Sequence, residues 1–98
     1  MKNYGFEITN IQANEIFASL KREAENKGCD VINSGHLVCK LVYEYNISVC
    51  LIQDEDIHQN QRFPASALAS RLISKWHKAN KIVRTDIKQG GGWMYHIL

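Results

Sequence analysis

Between Pro64 and Leu98 the apolar spacing changes from a period of about 3.6 to one of about 2, the pattern of a helix followed directly by two paired strands. Ala65, Leu68, Ala69, Leu72, Ile73, Trp76 and Ala79 fall on one continuous arc of a helix over 64–80, which Pro64 is suited to open. Ala67, Arg71, Ser74 and Lys78 lie opposite, flanked by Ser70, Lys75 and His77. Ile82 to Ile87 then alternates, Lys88-Gln89-Gly90-Gly91-Gly92 reads as a long flexible turn, and Trp93 to Leu98 alternates again. The prediction is a terminal β-hairpin over 82–98.

The same stretch carries the positive charge. Residues 63–98 hold Arg71, Lys75, Lys78, Lys81, Arg84 and Lys88 against the single acid Asp86, whereas the first 62 residues hold six basic and nine acidic side chains. The net charge of +2 therefore conceals a polarised molecule. A helix, a hairpin and a glycine loop that share one charge are the footprint of a nucleic-acid-binding surface.

Ninety-eight residues suit a single domain, 1–98, without a linker. No stretch approaches the roughly 18 consecutive apolar residues a spanning helix needs, and Met1-Lys2-Asn3-Tyr4-Gly5-Phe6-Glu7 lacks the apolar run of a signal peptide. A cytoplasmic protein with no membrane partner is expected. Thr9 and Gln12 make a capping-box pattern at the head of a helix over 10–27. Ala13, Ile16, Phe17, Leu20 and Ala24 share its apolar face, and Gly28 suits the left-handed residue that ends helices.

Val31-Ile32 predicts a brief strand, and Asn33 or Ser34 the cap of a second helix. Leu37, Val38, Leu41, Val42 and Tyr45 recur at helical intervals, although Cys39, Leu41, Tyr43 and Tyr45 also alternate as a strand does. Residues 37–45 thus read as a helix or as a strand paired with 48–53, and only the helix completes a three-helix frame. Residues 53–62, with Asp54, Glu55 and Asp56, read as an exposed acidic loop, because adjacent carboxylates diverge and rarely converge on one ion.

Cys29, Cys39 and Cys50 are an odd number without a CxxC pair, which predicts buried reduced thiols and no metal site. His36 and His58 have no evident partner, while His77 and His96 fall in the basic segment. The chain has no glycine loop before a helix to cradle phosphates, no nucleophile elbow and no usefully spaced carboxylate pair. Binding is expected, without chemistry and without a cofactor.

A helix with small outward residues fits the major groove of B-DNA, about 12 Å wide, and Ser66, Ala67, Ser70 and Ser74 meet that demand. Arg71 is suited to donate two hydrogen bonds to a guanine edge; Lys75 and Lys78 are suited to phosphates. Trp76 and Trp93 read as core residues. Leu68-Ala69-Ser70-Arg71-Leu72, then Trp76, then Lys81-Ile82-Val83-Arg84-Thr85, a glycine turn and Trp93-Met94-Tyr95-His96-Ile97, together resemble the winged helix-turn-helix domains of small bacterial and phage regulators. Asn80 matches the asparagine or glycine such domains carry near the end of the recognition helix, while the segment from Tyr45 to Phe63 is longer than their usual connection.

The resemblance implies an α+β winged-helix fold, three helices with a C-terminal β-hairpin wing. It also implies double-stranded DNA as partner, with helix 64–80 in the major groove and hairpin 82–98 as the wing. The expected contacts are Ser66, Ser70, Arg71, Ser74, Lys75 and Lys78 on the helix and Arg84, Lys88 and Gln89 on the wing, with Lys81 a further phosphate contact. One short helix reads few base pairs, so a homodimer through helix 10–27 is expected of a transcriptional regulator of bacterial, plasmid or phage origin. The rival reading is a protein-binding adaptor or phage-encoded inhibitor on a small α+β domain, its acids engaging a basic partner.

Overall fold

The structure is a computed structural model that describes residues 2–3, 6–50, 63–89 and 92–98. The order of elements is β1 (Lys2–Asn3), β2 (Phe6–Glu7), α1 (Asn10–Asn26), β3 (Val31–Asn33), α2 (Ser34–Tyr45), α3 (Pro64–Lys78), β4 (Ile82–Gln89) and β5 (Gly92–Ile97). The described residues thus form an α+β domain of three helices and a three-stranded antiparallel sheet in the order β3-β5-β4, with β1 and β2 as a separate antiparallel pair. No helix among them is long and apolar enough to cross a membrane.

Local chemistry sets most helix ends. Thr9 Oγ1 accepts from Gln12 N (3.1 Å) while Gln12 Oε1 accepts from Thr9 N (2.9 Å), the expected capping box. Gly28 closes α1 at φ +72°, with Cys29 N bonded to Ala24 O and Gly28 N to Glu25 O. Asn80, at φ +59°, closes α3 the same way through Lys81 N to Trp76 O and Asn80 N to His77 O. Because α3 ends at Lys78, Ala79 leaves the apolar arc and is exposed.

Residues 34–45 are helical, so the strand alternative for 37–45 is set aside. Asn33 Oδ1 accepts from Gly35 N (2.8 Å) and His36 N (3.2 Å), and Asn46 ends the helix in the left-handed region. The acidic stretch predicted over 53–62, with His58, lies outside the described residues.

The core gathers one face of each helix. Ala13, Ile16, Leu20 and Ala24 of α1, Leu37 and Leu41 of α2, and Ala65, Leu68, Ala69, Leu72, Ile73 and Trp76 of α3 are buried with Ile8, Ile32, Ile47, Ile82 and Ile97. Phe17 meets Trp76 edge-on, ring centroids 5.2 Å apart. The apolar stripe of α1 therefore packs inside its own domain. The cysteines correct an expectation: Cys29, Cys39 and Cys50 are all exposed, since one follows a helix cap and another lies on the outward side of α2.

Lys40 is the buried charge of the domain, its side chain 3% exposed. Its Nζ donates to Glu23 Oε1 (2.7 Å), Glu44 Oε2 (2.7 Å) and Ser19 Oγ (3.0 Å), so α1 and α2 are clasped through an ammonium whose three donors are all used. His36 Nε2 lies 2.7 Å from Glu23 Oε2, a partner the linear sequence did not reveal. The Lys40 hydrogen bond first, and the His36 contact second, hold the Glu23 carboxyl down from 4.5 to about 2 against the opposing effect of burial. Burial disfavours the Lys40 ammonium, but its bonds to Glu23 and Glu44 outweigh that and raise its pKa.

A carboxyl whose pKa is depressed by folding stabilises fully above its unfolded value and loses that contribution as pH falls through the folded one. Thermal stability is expected to drop between about pH 4.5 and 2. Glu23→Gln should lower stability at neutral pH and flatten that acid limb, as followed by circular dichroism melts across the range. An unchanged limb in the variant would show that Glu23 is not the group responsible.

Candidate nucleic-acid interface

Burial of the α3 arc forces the opposite side of the helix into solvent. Ser66, Ser70, Arg71, Ser74, Lys75 and Lys78 are all exposed there. Arg71, Ser74, Lys75 and Lys78 line one open depression, so the predicted cations of the helix converge on a single surface. Lys75 Nζ donates to Asn10 Oδ1 (2.7 Å) at the head of α1, an exposed bond with little net worth in water. Lys75, His77 and Lys78 also occupy the last turn, where cations complement the negative end of the helix dipole.

Ser66 and Ser70 look the other way around the helix. With Ala69 and Ile73 they line a groove of about 270 Å³ whose far wall is Trp93 and Tyr95 of β5 and whose end is Ser34, Gly35 and Val38 of α2. Trp93 is half-buried, which corrects its reading as a core residue. The Arg84 guanidinium stands 4.2 Å from its ring centroid and the Lys88 ammonium 5.7 Å. The helix serines and the aromatic residues therefore line one groove, and the wing cations stand over the ring of one of them, Trp93.

The remaining predicted residues divide. Lys88 and Gln89 belong to β4, in register with Trp93 and Gly92 of β5, where the sequence placed them in the turn; residues 90 and 91 lie outside the described residues. Lys81 Nζ lies 5.1 Å from the Phe17 ring centroid. His96 Nε2 faces Asp30 Oδ2 at 3.2 Å. Trp93, Tyr95, Ser34 and Asn10 join the surface without having been named as contacts; the period-two alternation of 93, 95 and 97 was the available signal for the first two.

The junction between hairpin and α2 is the tightest approach in this region. Trp93 N donates to Ser34 Oγ (2.9 Å), so Asn33 caps α2 while Ser34 anchors the hairpin. A Cβ placed on Gly92 would meet Asn33 Oδ1 and Gly35 N at 2.5 Å and Ser34 Oγ at 2.8 Å. Gly92 is thus a packing residue.

No protein family model, no curated protein and no solved structure matches this chain.

Gly92→Ala is expected to destabilise the domain by about 1–3 kcal/mol, because the backbone of Gly35 cannot yield as a flexible side chain would. Denaturant unfolding at neutral pH measures it; wild-type stability in the variant would mean that the α2 cap moves freely away from β5.

Proposed function

We propose that the chain is a winged-helix domain that binds double-stranded DNA, with α3 in the major groove and the β4–β5 hairpin as the wing, in the manner of a small transcriptional regulator of bacterial, plasmid or phage origin. The observation that carries this reading is the shared groove: Ser66 and Ser70 of α3 face Trp93, and Arg84 and Lys88 stand over that same ring. The order of helices and strands, with β3 joining the hairpin as a third strand, supports it.

In this mode Lys75, Lys78, Arg84 and Lys88 neutralise phosphates and supply salt-dependent affinity. Arg71, beside Ser70 and Ser74, is the residue placed to read a base edge. The function is recognition without bond making. A protein partner is favoured instead by the exposure of Tyr43 on α2 (80%) and Ile11 on α1 (72%), and salt separates the two modes, since an apolar contact depends little on it.

Fluorescence titration of mixed duplex fragments at several salt concentrations tests the proposal. Lys75→Ala with Lys78→Ala should weaken binding to all sequences and flatten the slope of log K against log salt by roughly two units. Arg71→Ala should narrow the discrimination between sequences by about 1–3 kcal/mol. Unchanged duplex affinity in the double variant removes α3 from the interface.

A further inference from the structure

The hairpin register contains a charge exchange. Ile82, Val83 and Arg84 pair with Ile97, His96 and Tyr95, and continuing that register would set Asp86 opposite Trp93. Lys88 pairs with Trp93 instead, because Thr85, Asp86 and Ile87 together face the single residue Met94. Two extra residues preserve the side on which β4 side chains emerge, so the acid is displaced and a cation takes its place on the same side as Arg84. Asp86 is exposed, and it is the one acid of residues 63–98.

The irregularity is held by a side chain. Thr85 Oγ1 donates to Met94 O (2.8 Å) and accepts from Ile87 N (3.2 Å), replacing ladder bonds that the extra residues remove. The result is a guanidinium and an ammonium over one indole, and among the described residues no ion pair engages either. A guanidinium over an aromatic face leaves N–H donors available to the oxygens of a phosphate. Its orientation is set before binding, so less rotamer freedom is lost on contact.

We infer that Arg84, Lys88 and Trp93 form a preorganised platform for one stretch of phosphate backbone, with Trp93 and Thr85 acting as positioning residues. The inference rests on the DNA-binding reading, which already assigns Arg84 and Lys88 to phosphate, and adds to it what aims them.

The test titrates one fixed duplex at several salt concentrations with wild type, Lys88→Ala, Thr85→Val, Trp93→Leu and Asp86→Asn, each checked for folding by circular dichroism. Side-chain proton shifts of Arg84 and Lys88 report in parallel whether the indole ring current still reaches them. Lys88→Ala should flatten the salt slope by about one unit. Thr85→Val and Trp93→Leu should flatten it comparably, with the ring-current shift lost in both, while Asp86→Asn changes affinity by less than about twofold. Folded Thr85→Val and Trp93→Leu proteins with the wild-type slope would overturn the platform and leave DNA binding standing. Wild type that fails to bind the duplex at low salt would instead sink the DNA-binding reading, and the phosphate role with it.

Discussion

The apolar arc of α3 organises the domain. Its six residues from Ala65 to Trp76 lie at or below 9% exposure, and a helix carrying such a stripe has a single orientation that removes it from water. Truncating a buried leucine such as Leu68 or Leu72 in a core of this kind costs about 2–5 kcal/mol, far more than any surface charge contributes. The cationic side of α3 therefore faces solvent because the other side cannot. Phe17 completes the arrangement by meeting Trp76 edge-on, and α1 is thereby fixed against the same helix.

Two smaller devices place the elements around that helix. The buried ammonium of Lys40, bonded to Ser19, Glu23 and Glu44, clasps α2 to α1 and consumes two of the acids of the first half of the chain. The contact of Gly92 and Trp93 with Asn33, Ser34 and Gly35 then ties the hairpin to the first turn of α2. Since α2 also packs on α3, the hairpin is held at a set distance from the outer side of α3, and a groove with serines on one wall and aromatic rings on the other results.

That geometry changes the meaning of the charge asymmetry. Six cations in the last 36 residues are compatible with a merely solvated surface, and a surface of that kind has no reason to order its side chains. Here Arg71, Lys75 and Lys78 line one depression, Arg84 and Lys88 stand over the Trp93 ring, and Lys81 stands over Phe17. The cation–π contacts with Trp93 favour particular orientations of two otherwise flexible side chains. Orientation is what distinguishes a phosphate-binding surface from a cationic one.

What the sequence determined by itself was whatever a window of a few residues can encode. The capping box at Thr9 and Gln12, the left-handed Gly28, the Pro64 start, the apolar arc of α3 and the switch to alternation at Ile82 are all local, and each was legible before any contact was known. So were the exposed positions of Ser66, Ser70, Arg71, Ser74, Lys75 and Lys78, which follow from the arc by exclusion. Residues 34–45 were ambiguous because their apolar residues satisfy two periods at once, and burial of Leu37 and Leu41 against α1 and α3 selected the helical one. Only the tertiary structure decided that Lys40 meets Glu23, that Gly92 must lack a Cβ, that Arg84 and Lys88 stand over Trp93 and that Lys88 takes the place of Asp86 across from it. Those outcomes join residues from five to about sixty positions apart along the chain, across separate elements, and no periodicity within one segment records which other surface it will meet.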